Sequence, residues 1–116
     1  MLSRGACQHG KFESMRATRI EGSIWHNGQT GWGIKVLGGP SVRLTHFERK
    51  ASPVIVEVDG VDVSVNVDKD SFWNRTCGEL INKSFKDFIA RHGLKSSDRV
   101  WLEIIEPKRR FRVALS

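Results

Sequence analysis

The sequence predicts a mainly β protein of the α+β class, a small open β-barrel (pseudobarrel) of six to seven short strands with one or two short helices. Three observations predict it: several short segments alternate apolar and polar residues, an Asp-Gly pair joins two of them, and one segment of helical period stands late in the chain. The 116 residues suit a single domain, 1–116, in which we expect 1–14 to be a flexible N-terminal segment. A β-sandwich is the alternative architecture.

The first half of the chain offers weaker patterns. A strand is expected at 15–25, and residues 32–37 alternate apolar with small or polar residues, which is typical of a second strand. The Gly38-Gly39-Pro40 sequence ends that strand. We expect residues 41–44 to form a short strand and residues 45–48 to form one helical turn, because the ends of the latter have capping-box spacing.

The clearest local element is a hairpin at residues 54–67. Asp59-Gly60 is a two-residue turn signal, and a two-residue loop pairs Val58 with Val61. The same register places six valines on one face and an acidic set of side chains on the other. Because an acidic face repels a polyanion, we expect it to point away from any nucleic acid.

A short amphipathic helix is predicted between Ser84 and Gly93. Asp87 stands three residues after Ser84, as in a capping box, and glycine suits the left-handed residue after a helix. The buried face follows the spacing i, i+3, i+4, i+7, with Phe85, Phe88, Ile89 and His92. Two strands, at 99–105 and 109–115, complete the barrel.

Charge is unevenly distributed along the chain. The formal net charge is +6, and it divides into +5 over residues 1–53, −4 over 54–70 and +5 over 71–116. A folded chain that keeps this segregation has one positive face, which would attract phosphates. The distribution therefore favours nucleic acid as the partner.

Residues 84–113 resemble the helix, turn and closing strand of the plant B-three DNA-binding domain. The family pattern there is an aromatic residue, two residues, Phe-Val, then Asn-Leu, two residues and Gly-Asp before a strand. Residues 85–89 and 93–100 are similar to it, but Phe85 replaces the usual tryptophan and Ser97 stands where glycine is usual. Similar pseudobarrels form the DNA-recognition domains of some bacterial restriction endonucleases.

The resemblance implies non-catalytic binding of double-stranded DNA in the major groove through two arms, which in this chain are 37–43 and 69–76. In the second arm we expect Lys69 to contact phosphate and Asn74 and Arg75 to read base edges, since arginine pairs with guanine and asparagine with adenine. The alternative for this segment is a capped loop in which Phe72 and Trp73 plug the barrel end, and in either case we expect Trp73 in the core rather than as a stacking platform. The loop at 37–43 is taken together with the glycine-bearing strand 31–35 before it, and from this region we expect Lys35 and Arg43 to contact nucleic acid.

A third basic region lies near the C-terminus. It is expected either to contact phosphates or to be a solvated edge that prevents sheet aggregation. Its candidate residues are Lys108, Arg109, Arg110 and Arg112.

Catalytic and metal motifs do not emerge from the sequence. No nucleophile has a base and an orienting group at recognisable spacing, and the four histidines lack metal-ligand spacing, so we expect no enzyme activity, no metal and no cofactor. Cys7 and Cys77 form no CxxC pair, and we do not expect a disulfide between them in a reducing compartment.

No apolar run approaches the roughly 20 residues of a membrane span, and the N-terminus lacks the apolar core of a signal peptide. We therefore expect a cytoplasmic protein, or a nuclear one in a eukaryote, which is neither secreted nor bound to a membrane. Two other functions stay open. One is a β-barrel that binds RNA or single-stranded nucleic acid by stacking, and the other is a protein-interaction domain.

Overall fold

The structure is a computed structural model, and it describes residues 18–27 and 30–116. The expected flexible segment 1–14 lies outside these residues. The described part holds seven strands: β1 (Arg19–His26), β2 (Trp32–Val36), β3 (Val54–Val58), β4 (Val61–Val65), β5 (Gly78–Ile81), β6 (Arg99–Glu106) and β7 (Arg110–Leu115). They form one sheet in the order β4-β3-β7-β6-β1-β2-β5, which curls into a half-barrel. The predicted fold class is confirmed.

Three short helices stand in the described residues, rather than one or two. They are α1 (Pro40–His46), α2 (Asp70–Asn74) and α3 (Phe85–Arg91), and a 3-10 turn covers Arg49–Ala51. The strand expected at 41–44 is wrong, because Pro40 occupies the first helical turn and its fixed φ favours a helix start. Gly39, with φ of 84°, turns the chain from β2 into this helix.

The hairpin of β3 and β4 has the predicted register. Val54 pairs with Val65, Val56 with Val63 and Val58 with Val61. Five of these six valines are buried, but Val61 is 59% exposed, because it begins the edge strand at the turn, where the core ends. Alternation alone does not show where along a strand the core stops.

Helix α3 matches its predicted position and buried face. Phe85, Phe88 and Ile89 are buried, whereas His92 at the end of this face is only partly buried, and Gly93 has the expected positive φ, 61°. The predicted capping box does not form, since Ser84 makes no side-chain cap. Instead the side-chain oxygen of Asn82 accepts the Ser84 amide at 2.8 Å.

Because of the strand pairing, the helices and turns that connect the strands lie at the two ends of the half-barrel. Gly78 at the start of β5 pairs with Val36 at the end of β2, while Val65 at the end of β4 pairs with Val54 at the start of β3. We call this the arm end, and it holds α1, the 3-10 turn, α2 and the β6–β7 turn. The opposite α3 end holds the β3–β4 turn and α3.

The arm end is tied to the core by three aromatic rings. Phe47, which follows α1, stacks on Phe111 of β7 at 4.8 Å between centroids and meets Phe72 of α2 edge-on at 5.2 Å. All three rings are buried. Among the described residues, no helix has the length and apolar character needed to cross a membrane.

Candidate nucleic-acid interface

Three of the predicted contact residues meet at an open cleft beside α2. The cleft has a volume of about 380 Å³ and is lined by Lys35, Asn74, Arg75, Thr76, Cys77 and Glu79. Lys35 reaches it because β2 buries Ile34 and Val36, so that the residue between them points to the outer face. The register then places Lys35 directly opposite Glu79 of β5.

Polar groups in this cleft are only lightly engaged by the protein. Arg75 is 64% exposed, and its nearest carboxylate oxygen, on Glu79, lies 3.5 Å away. Within the described residues the side chains of Lys35 and Asn74 make no hydrogen bond or ion pair. An exposed pair at this distance contributes little to stability, so the guanidinium can exchange Glu79 for another acceptor.

Lys69 lies on the other side of α2, in a groove of about 230 Å³ between the two edge strands. The groove runs between Ser64 of β4 and Ile81 of β5, and Glu79 lines both it and the cleft. At one point the edges are bridged, since the Asn82 side-chain amide donates to the Ser64 carbonyl at 2.8 Å. Lys69 is thus near the cleft but does not line it.

Phe72 and Trp73 anchor α2, as the sequence predicts. Phe72 is buried, and Trp73 packs against the core with its ring 5.1 Å from that of Phe72. The Trp73 indole N–H donates to the Val67 carbonyl at 2.8 Å. Trp73 is therefore part of the scaffold beneath the cleft.

Arg43 is not on the surface, and the prediction that it contacts nucleic acid directly is wrong for this conformation. Its side chain is fully buried under the arm. Nη1 donates to the Phe72 carbonyl at 2.6 Å and Nη2 donates to the Thr76 carbonyl at 3.2 Å. Burial lowers the pKa of Arg43 from its ordinary value, but a guanidinium remains charged at neutral pH.

Arg49 is a structural residue that the sequence did not single out. Its guanidinium donates to the Asp68 carbonyl at 2.8 Å and to the Asp70 carboxylate at 2.9 Å. It also lies over the Trp73 ring, 5.7 Å from the centroid. Helix α1 and the 3-10 turn that follows it therefore support the arm at 69–76, and the expected first arm at 37–43 does not form. No local signal marks this role, because its partners lie some twenty residues further along the chain.

The basic run near the C-terminus divides into two pairs of residues. Arg110 makes a two-pronged contact with Asp62, with both N–O distances 3.0 Å, and Arg112 Nε donates to Glu103 at 3.1 Å. Lys108 and Arg109 make no side-chain ion pair within the described residues. Within this run, Lys108 and Arg109 are therefore the two side chains that remain available to a phosphate.

The fold does not keep the charge segregation that a single positive face would require, because a basic strand lies beside the acidic hairpin. Strand β7 pairs in parallel with β3, so Arg112 stands beside Glu57, and Arg110 reaches across to Asp62 of β4. The hydrogen bond from Arg110 holds the pKa of Asp62 below its usual range, and Asp62 raises the pKa of Arg110. Arg110 and Arg112 thus neutralise carboxylates of the sheet.

Cys77 in the cleft wall is disulfide-bonded, contrary to the expectation of a reduced thiol. Cys7 lies outside the described residues. The described residues therefore contain no free cysteine. No group of three or more His, Cys, Asp or Glu side chains in the described part is arranged to hold a metal ion.

Comparison of the chain with protein-family models, with curated proteins and with solved structures gives no match.

Proposed function

We propose that this protein binds double-stranded DNA without catalysis, using the cleft beside α2 as its base-reading site. One observation carries the proposal: Lys35, Asn74 and Arg75 come from two separate elements and converge on one open cleft. The fold does not depend on their polar groups. Cations that are gathered at one place and left weakly paired are typical of a phosphate-binding surface.

The chemistry of the cleft suits a duplex. An arginine can donate two hydrogen bonds to a guanine edge in the major groove, and an asparagine can bond an adenine edge in the same way. Asn74 and Arg75 stand at the end of α2, on an exposed segment beside the cleft. Lys35 and Lys69 lie on either side of it and would contact phosphates, which set position rather than sequence.

The similarity of residues 84–113 to the B-three domain supports the same proposal. Lys108 and Arg109 belong to the arm end as well, on the β6–β7 turn, and add positive charge there. We assign them to phosphate contact. Arg110 and Arg112 are not included, since they are already paired with carboxylates.

The test compares Arg75→Ala with Arg91→Ala. Arg91 is a matched control because its side chain is 61% exposed, close to the 64% of Arg75, but it lies at the α3 end. A preferred duplex is first selected from a randomised pool with the unaltered protein. Arg75→Ala should then weaken binding to that duplex by about 1–3 kcal/mol and relax its sequence preference, because one base contact is lost.

Arg91→Ala should leave both quantities unchanged. The same titration with single-stranded DNA, with RNA and with duplex DNA separates the alternatives. Preference for single strands or RNA would favour a stacking barrel, and failure to bind any of the three would favour a protein-interaction domain. An unchanged affinity in Arg75→Ala would show that the cleft is not the reading site.

A further inference from the structure

We propose that Arg43 is a positioning residue, which fixes the backbone of the arm so that Asn74 and Arg75 face the cleft in one geometry. The effect that we expect on DNA binding rests on the proposed function. The structural part of the inference, that Arg43 orders the arm at 69–76, is independent of that function. Arg43 itself touches no ligand, since its side chain is fully buried.

The two hydrogen bonds of Arg43 bracket the reading residues. One goes to the Phe72 carbonyl, 2.6 Å from Nη1, and the other to the Thr76 carbonyl, 3.2 Å from Nη2. Asn74 and Arg75 lie between these two acceptors in the chain. A guanidinium is planar and rigid, so a single side chain fixes the distance between the carbonyls on both sides of the reading pair.

The Phe72 carbonyl belongs to a helix end that needs a donor. Helix α2 has only five residues, so its last carbonyls have no partner within the helix. Arg75, which follows it, has extended backbone with φ of −82° and ψ of 167°. The helix thus stops abruptly, and Arg43 stabilises the point at which the chain leaves it.

Stability alone does not explain a buried arginine at this position. Its two hydrogen-bond partners are neutral carbonyls, and its Nε has no partner. Burying a charge without a carboxylate is costly, and apolar residues of similar volume often replace buried ions without loss of stability. Retaining the guanidinium is better explained by the geometry that it imposes on the arm.

Gly78 completes this arrangement. A Cβ atom at Gly78 would lie 2.7 Å from Cδ of Arg43 and 2.9 Å from Cε1 of Phe72. Any side chain here would push the arginine or the α2 anchor from its place. The absence of a Cβ therefore leaves the space through which Arg43 reaches the arm.

The first experiment needs no DNA. Amide hydrogen exchange is measured on Arg43→Lys and on Gly78→Ala, with Arg91→Met as the control for loss of an exposed arginine. Lysine keeps the charge but cannot bridge both carbonyls, so exchange should become faster in residues 70–77 and stay unchanged in α3. Equal protection of 70–77 in the unaltered protein and both variants would overturn the inference.

The second experiment uses the duplex selected from the randomised pool and a scrambled duplex of the same composition. Arg43→Lys should reduce discrimination between them by about tenfold, at the lower end of what one bidentate base contact contributes. The dependence of binding on salt should not change, because the phosphate contacts remain. Equal loss of affinity for both duplexes would show that Arg43 supports the fold only.

If Arg43→Lys does not fold, Gly78→Ala still tests the inference. It retains the arginine but disturbs the packing of Arg43 against the arm. If the unaltered protein selects no duplex, the proposed function fails, and the exchange experiment still decides whether Arg43 orders the arm.

Discussion

The two ends of the half-barrel use basic side chains in different ways. At the α3 end, Arg91 and His92 both contact the carboxylate of Asp59, at 2.8 and 3.0 Å. At the arm end, Lys35 and Lys69 make no ion pair within the described residues. At the α3 end the basic side chains hold the β3–β4 turn against α3, whereas the lysines of the arm end remain available to a partner. The net charge of +6 does not reveal this difference.

The comparison also separates buried from exposed cations at the arm end itself. Arg43 and Arg49 donate hydrogen bonds to backbone carbonyls of Phe72 and Asp68, which hold the arm in place. The cations that line the cleft, Lys35 and Arg75, make no such contact with the backbone of the described residues. The residues that support the arm are therefore different from those that we propose for DNA recognition. The predictions below test whether disturbing one end leaves the function of the other intact.

The largest expected effect comes from truncating a buried ring at each end. Phe72 under the cleft and Phe88 in α3 are 3% and 4% exposed, which makes them a matched pair. Phe72→Ala and Phe88→Ala should each reduce the free energy of unfolding by about 3–5 kcal/mol, as measured by urea denaturation, because each leaves a cavity in the core.

Binding should distinguish the two variants. At a temperature where both are folded, only Phe72→Ala should lose discrimination between the selected and the scrambled duplex, because Phe72 anchors α2 whereas Phe88 lies in α3 at the other end. If Phe88→Ala loses the same discrimination, the two ends are coupled and the division between them is wrong.

The next effect is the dependence of binding on salt. If Lys35, Lys69, Lys108 and Arg109 each contact a phosphate, affinity should fall roughly 150-fold between about 50 mM and about 200 mM salt, since each contact releases about one counterion. Fluorescence anisotropy with a labelled duplex measures this slope. A salt-independent affinity would be incompatible with phosphate contacts at the arm end.

A smaller effect should separate neighbouring arginines. Arg109→Ala should lower the salt slope by about one, whereas Arg110→Ala should leave it unchanged, because Arg110 is engaged by Asp62. Arg110→Ala should instead cause a small decrease in the urea midpoint. A lower slope in Arg110→Ala would mean that the ion pair opens when DNA binds.

The sequence predicted the elements whose signals are local. The hairpin register follows from an Asp-Gly turn between alternating valines, and α3 follows from its apolar spacing and from Gly93, so both were found in place. Helix α1 is the exception, because Gly38-Gly39-Pro40 is compatible with two local structures. The two glycines indicate the end of β2, and the proline also favours the first turn of a helix.

The site was predicted less completely, because burial depends on distant partners. Arg43 is buried only because α2 brings carbonyls from about thirty residues further along the chain over it. Likewise, a sum of charges over segments could not show that β7 pairs in parallel with β3 and places Arg110 near Asp62. Asn74, Arg75 and Lys35 lie together at one cleft, and their contact with nucleic acid stays a prediction.

The smallest expected effect concerns acid stability at the α3 end. The hydrogen bond from His92, together with Arg91, lowers the pKa of Asp59 in the folded protein. A carboxyl with a lowered folded pKa contributes stability above its unfolded pKa, about 3.9, and this contribution is lost as the pH falls through the folded value. Urea midpoints of the unaltered protein should therefore decrease more steeply below about pH 4 than those of Asp59→Asn.

Asp59→Asn has a second use at neutral pH, where the unaltered carboxylate is ionised. The substitution removes a charge at the α3 end and leaves the cleft intact, so the affinity for the selected duplex should not change at high salt. Loss of a negative charge anywhere on a small protein increases its attraction to DNA slightly through the long-range field, and salt suppresses that part. A change in affinity that persists at high salt would mean that the Asp59 carboxylate, and with it the α3 end, takes part in binding.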